Sequence, residues 1–264
     1  MRIPVLRIAV DCRYVRTDHH DGISRYTAGL VAELAALHPV TMLISDPRQL
    51  RMLPDLPSFR VSAPTSVREP LVARQVNRLS PDVVFSPMQT MGTWGRRYAL
   101  VLTLHDLIYY RHPTPPRDLP APIRVLWRLY HLAWWPQRVL LNRADAVVTV
   151  SETTAALMAE HRLTRRPVTV VPNAADPLPA SSGEPGRRLV YMGSFMPYKN
   201  VDTLVRVVAA LPDHELHLMS RIAPGERARL AALAPAARLV FHDGASDADT
   251  SAVAPRSAAA YSAS

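Results

Sequence analysis

Short, continuous apolar runs recur between stretches of helical periodicity along most of this chain. Runs of that kind belong to strands buried on both faces, so the alternation predicts an α/β protein with a parallel sheet covered by helices. The strand candidates in the first part are 6–10, 40–44, 82–85, 100–104, 146–150 and 168–171. Between the first two, Ile23, Tyr26, Leu30, Leu34 and Leu37 recur at helical spacing and predict a helix over 24–37. Residues 46–70 are rich in proline and predict a loop with little regular structure. A long helical stretch over 122–141 precedes the strand at 146. Residues 1–173 read as one complete doubly wound, Rossmann-like domain.

Residues 174–187, with three prolines, Ser181, Ser182 and Gly183, have linker chemistry. The alternation then resumes with strands at 189–192, 215–219 and 239–241 and helices at 201–211 and 226–233, so 188–243 predicts part of a second domain of the same kind. Its opening is distinctive. An apolar run ends in Gly193, a loop carries Lys199, and a helix follows. That order sets backbone N–H groups and an ammonium at a helix N-terminus, a seat for a diphosphate. From Gly244 to Ser264 almost nothing is apolar enough to bury. This low-complexity tail predicts a disordered or loosely helical segment. The second domain is thus expected to be incomplete, truncated on its C-terminal side.

Composition narrows the partners without choosing among them. Lys plus Arg is 31 against 22 for Asp plus Glu, a formal charge of +9 carried almost wholly by arginine. That balance suits phosphate-bearing ligands or an anionic membrane surface. The arginines are scattered and no binding module is recognisable, which argues against nucleic acid. Cys12 is the single cysteine, so no intrachain disulfide forms and a reducing compartment is acceptable. No signal-peptide pattern opens the sequence and no run is long and apolar enough for a membrane span. The expected location is cytoplasmic, with peripheral contact at the inner face of the plasma membrane left open by residues 122–141. There Arg124, Trp127, Arg128, Tyr130, Trp134, Trp135 and Arg138 either line a core or interface, the favoured reading, or seat on a bilayer.

Several chemistries are absent: no nucleophile elbow, no Walker A loop and no G-x-G-x-x-G occur. One cysteine rules out a thiolate zinc site. His19, His20 and Asp21 are adjacent in a loop, and Asp247 and Asp249 lie in the tail, so neither set predicts a metal site. The candidates that remain stand at carboxyl ends of strands, where doubly wound sheets bind ligands. Gly22 lets backbone approach a phosphate and Arg25 pairs with one, or the loop is plain and Ser24 caps the helix. His105 and Asp106 end a strand, where an imidazole can meet a substrate hydroxyl or simply be structural. Ser151 predicts an N-cap.

In order and spacing over residues 6–243, these segments resemble the family-4 retaining glycosyltransferases of GT-B fold. The resemblance rests on Asp21-Gly22-Ile23-Ser24-Arg25-Tyr26, Phe85-Ser86-Pro87 and Thr103-Leu104-His105-Asp106-Leu107. It continues through Arg143 to Glu152, Val170-Val171-Pro172-Asn173 and Tyr191-Met192-Gly193-Ser194-Phe195 with Lys199-Asn200. It implies two Rossmann-like domains facing each other across a cleft, the donor mainly on the second and the acceptor mainly on the first. It implies Gly22, Gly193, Ser194 and Lys199 at the donor diphosphate and His105 at the transferred sugar. Arg25, Asp106 and Asn173 become further donor or acceptor contacts. Ser194 stands where many relatives carry an arginine, which leaves Lys199 more of the charge. The implied partners are a nucleotide-sugar, mannose-bearing among the options, and a polysaccharide or lipid-linked acceptor of the cell envelope, with no metal or other cofactor. The family's paired-glutamate motif has no counterpart here. Weak donor binding and transfer below detection are therefore expected, and a non-catalytic remnant that binds an acceptor or partner protein is the alternative.

Overall fold

The computed structural model describes residues 6–115, 120–174 and 186–244, and the backbone of 257–262. It divides into two compact units, 1–174 and 175–264.

The first unit holds seven strands: β1 (Ile8–Asp11), β2 (Val40–Ile44), β3 (Ser58–Arg60), β4 (Val83–Ser86), β5 (Ala99–Leu104), β6 (Ala146–Thr149) and β7 (Val168–Val170). Their order is β3-β2-β1-β4-β5-β6-β7, and every pairing is parallel. The order reverses between β1 and β4, the switch point at which such sheets open a crevice beyond their carboxyl ends. Its helices are α1 (Gly22–Leu37), α2 (Val72–Val76), α3 (Ile108–Arg111), α4 (Ala121–His131), α5 (Trp135–Leu141) and α6 (Glu152–Glu160).

Alternation of side chains along each strand builds two cores from the same strands. Val10, Met42 and Ile44 meet Val31 of α1 on one face. Ala9 and Leu43 meet Val72, Ala73 and Val76 of α2 on the other. Val31 is wholly buried, and removing such a side chain from water contributes about 1.5–3 kcal/mol.

Three local expectations are corrected. The proline-rich stretch 46–70 carries a 3-10 helix at Pro47–Met52 and the edge strand β3. β3 escapes a sequence reading because only Phe59 of its three residues turns inward, and its pairing to β2 needs backbone alone. The helical stretch 122–141 is two helices, broken before α5 because Pro136 has no N–H to continue α4. The favoured core or interface reading of its aromatics is corrected only in part: no α4 residue is fully buried, but half-buried Trp127 and Tyr130 pack on Tyr109 and Gln137.

The second unit contains β8 (Arg188–Met192), α7 (Val201–Ala209), β9 (Glu215–Leu218), α8 (Pro224–Leu233), β10 (Leu239–Phe241) and β11 (Ser257–Ser262). The sheet order is β10-β9-β8-β11, again all parallel. Tyr191, Leu216 and Leu218 pack on Val201, Val205 and Val208 of α7 and Leu230 of α8. β11 corrects the expectation of a disordered or loosely helical tail over 257–262. Val190 and Tyr191 of β8 are buried, and leaving that edge unpaired would strand N–H and C=O groups, so a segment with little to bury still pairs through its backbone. Residues 175–185 of the expected linker, and Asp247 and Asp249, lie outside the described residues. Among those described, no helix is long and apolar enough to cross a membrane.

Candidate functional site

At the carboxyl end of β1 the first unit is held by a buried ionic network that sequence reading missed. Asp11 and Arg13 are both almost fully buried. Arg13 Nε and Nη2 donate to Asp11 Oδ1 and Oδ2 at 2.7 and 2.9 Å. Its Nη1 and Nη2 donate to Glu69 Oε2 and Oε1 at 2.5 and 3.1 Å. Ser86 Oγ donates to Asp11 Oδ2 at 3.3 Å. Glu69 also receives the N–H of Gly92 at 3.1 Å. A Cβ on Gly92 would stand 1.7 Å from the Glu69 carbonyl oxygen, so only glycine allows that approach. The loop after β4 is thereby tied down at both ends, by Ser86 and by Gly92. The one signal in the sequence was an aspartate and an arginine closing an apolar strand.

That loop positions His105, which follows β5. The Pro87 carbonyl lies 2.8 Å from His105 Nε2. A carbonyl only accepts, so Nε2 carries the proton and Nδ1 keeps its lone pair in the neutral ring. Burial pushes the imidazole below its ordinary pKa, against the opposing pull of the Pro87 carbonyl and Asp106. The ring of Tyr26 meets it edge-on at 4.9 Å, which sets the first turns of α1 beside it. From below, Thr154 Oγ1 donates to the His105 carbonyl at 3.3 Å, and Ser151 caps α6 by accepting from Thr154 N at 3.1 Å. Asp106 is exposed, and its Oδ1 accepts from Ile108 N at 3.0 Å, so it starts α3.

α1 begins earlier than the sequence suggested. Asp21, not Ser24, is its N-cap: Oδ1 accepts from Ser24 N at 2.8 Å, while Oδ2 accepts from Arg16 Nε at 2.8 Å. Ser24 is buried and its Oγ accepts from Arg16 N at 2.7 Å. Aspartate wins the cap because its carboxylate reaches the N3 amide and Arg16 balances the charge. Gly22 is exposed, and a Cβ there would meet nothing within 4 Å. Arg25 and Asn173 are exposed.

In the second unit, Gly193 follows β8 with φ 153° and donates its N–H to Ser220 Oγ at 3.0 Å. Tyr191 Oη donates to the carbonyl of exposed Ser194 at 2.6 Å. Lys199 lies in a 3-10 turn, Pro197–Lys199, its Nζ 5.2 Å from the centre of the Tyr198 ring. Asn200, in a left-handed conformation at φ 53°, starts α7 without a side-chain cap. Ser220 and Tyr191 went unrecognised as supports because each is separated from the turn or embedded in a strand.

The structure therefore brings His105, Gly22 and Arg25 to one carboxyl edge of the first sheet, and Gly193, Ser194 and Lys199 to the edge of the second. Among the described residues, no group of three or more His, Cys, Asp or Glu side chains is placed to hold a metal ion. Two Rossmann-like units in series, with functional candidates at the strand ends, define a GT-B protein. The family model for Glycosyltransferase Family 4 matches residues 20–177, and the protein belongs to that family of transferases. Solved structures match the fold across both units. Sucrose-phosphate synthase from Thermosynechococcus elongatus superposes at TM-score 0.67 and 16% identity, covering 95% of this chain and 72% of that one. Anabaena HepE in complex with UDP and glucose matches at 0.59 and 14%, covering 96% and 72%. A glycosyltransferase from Rickettsia africae ESF-5 matches at 0.63 and 11%, covering 97% and 72%. No curated protein sequence matches this one.

Proposed function

We propose that this glycosyltransferase moves a hexose from a nucleotide-sugar to a hydroxyl of a cell-envelope polysaccharide or lipid-linked acceptor, with retention. The observation that carries the reading is His105, a neutral, anchored imidazole at the carboxyl end of β5 beside the first turns of α1. Its Nδ1 lone pair can accept from a sugar hydroxyl, and its Nε2 bond to Pro87 fixes the ring that does so. Nothing lies within 4 Å of where a Gly22 Cβ would stand, so the backbone there is open to a phosphate. HepE, solved with UDP and glucose, supports a nucleotide-sugar donor.

The second unit supplies the positive end. Lys199 precedes a helix N-terminus that has no side-chain cap, so an ammonium and helix-end N–H groups coincide there. At α1 the same position is already filled by the Asp21 carboxylate. The leaving diphosphate is accordingly assigned to Lys199 and the start of α7, with charge neutralised by these groups in place of a cation. Addition of a chelator should leave the rate unchanged. Buried, unpaired Cys12 fits a reducing, cytoplasmic setting.

Lys199 is the only lysine in the sequence, which makes the test direct. An amine-reactive acylating reagent should label Lys199 and the N-terminal amine, and UDP or GDP should protect Lys199 alone. A panel of UDP- and GDP-linked hexoses, GDP-mannose included, then identifies the donor by its protection of Lys199 and by any turnover detected. Labelling of Lys199 that no nucleoside diphosphate slows would remove the donor assignment.

A further inference from the structure

Helix α4 is amphipathic twice over. One stripe, Trp127, Tyr130 and His131, turns to the protein: Trp127 meets Tyr109 at 5.0 Å, His131 meets Tyr110 at 5.2 Å, and Tyr130 Oη donates to Gln137 Oε1 at 2.8 Å. A second stripe, Val125, Leu126, Leu129 and Leu132, follows helical spacing on another side and faces outward. Leu126 is 64% exposed and Leu132 65%, and Trp135 just beyond is 65% exposed. Exposed apolar side chains gathered on one face mark a contact surface.

The charge around the stripe selects its occupant. Arg124 and Arg128 lie one turn apart along its edge, where their stems cover apolar surface and their heads stay wet. From Leu107 to Ala144 the sequence holds six arginines against the single acid Asp118. A protein partner or a second copy would need an acidic rim to meet them. An anionic bilayer meets the arginines with its headgroups and the leucines with its acyl chains at once. An exposed tryptophan at the end of the stripe suits the same depth. With 11 residues, α4 is too short to span and fits only in the plane of the interface.

We infer that α4 and the turn after it seat on an anionic lipid surface, apolar stripe down. The seat holds the first unit against the membrane without a spanning segment, whatever sugar it transfers. The test is flotation of the full-length protein with phosphatidylcholine vesicles, with and without phosphatidylglycerol. Flotation with the anionic vesicles alone is expected, with a blue shift of tryptophan emission. Leu126→Glu with Leu129→Glu should abolish it. Arg124→Ala with Arg128→Ala should weaken binding about twenty-fivefold, or fivefold per arginine. These side chains are exposed, so the thermal midpoint should hold, and near-UV circular dichroism checks it. Failure to float with anionic vesicles, or flotation that survives the glutamates, overturns the inference. So does a lipid-free dimer that the glutamate pair converts to monomer, which would give the stripe to a second copy.

Discussion

The two units repeat one design, a parallel sheet whose first strand is followed by a loop and a helix, and they finish that loop in opposite ways. After β1 the loop is pinned by buried charge, with Arg13 gripping Asp11 and Glu69, and α1 is capped by Asp21. After β8 the loop is pinned by neutral contacts, Gly193 to Ser220 and Tyr191 to Ser194, and α7 has no side-chain cap. The first arrangement commits its anion-binding positions to the protein's own carboxylates and holds the loop rigid. The second leaves the start of α7 without a side-chain cap, where the proposed function puts the diphosphate. The proposed function accordingly gives positioning to the first unit and electrostatic attraction to the second.

The sharpest way to break this contrast is Arg13→Ala. Buried Asp11 and part-buried Glu69 lose their partner, and about 3–5 kcal/mol of stability should go, read by urea denaturation. A loss under about 1 kcal/mol would show that the network does not hold the first loop. His105→Ala tests precision next. Any detectable turnover should fall on the order of a hundredfold while donor affinity stays within a few-fold, because the proposed contact is to the reacting sugar. An unchanged turnover number returns His105 to a role in packing alone.

Lys199→Ala tests attraction. A charge-assisted contact contributes about 1.5–3 kcal/mol, so donor binding should weaken roughly tenfold to a hundredfold by calorimetry, with the fold's melting unchanged. Lowering the pH tests both units together. Burial depresses the pKa of His105 and of His131 in the first unit and of His217 in the second. Unfolded imidazoles therefore take up protons first, and stability should fall as pH drops below the ordinary value of 6.5. A melting temperature flat through that range would contradict the burial argument. The smallest effect is expected from Arg229→Ala, whose partners Asp202 and Glu226 sit on the surface of the second unit. Half-exposed pairs are screened, and the loss should stay below about 1 kcal/mol.

Much of this was legible along the sequence. Nine of the described strands lie where apolar runs stand, because a strand buried on both faces must be apolar throughout, and that signal is local. β3 and β11 were not legible. Both are edge strands that pair through backbone groups, which carry no sequence signature. His105 and Lys199 could be picked out because each stands at a strand end or a helix start. Their supports could not: Pro87 lies 18 residues before His105, and Ser220 lies 27 after Gly193.

The α/β class, the division into two units and the family follow from periodicity, linker composition and ordered motifs, which are all properties of neighbouring residues. Which charges are paired and which apolar faces are covered came from the folded protein alone. Glu69 meets Arg13 across 56 residues, Asp21 takes the cap from Ser24, and α4 turns its leucines outward. Each outcome depends on which distant groups arrive in the same place. Burial and pairing are set by three-dimensional proximity, and a helix's periodicity says which face is apolar without saying what will stand against it.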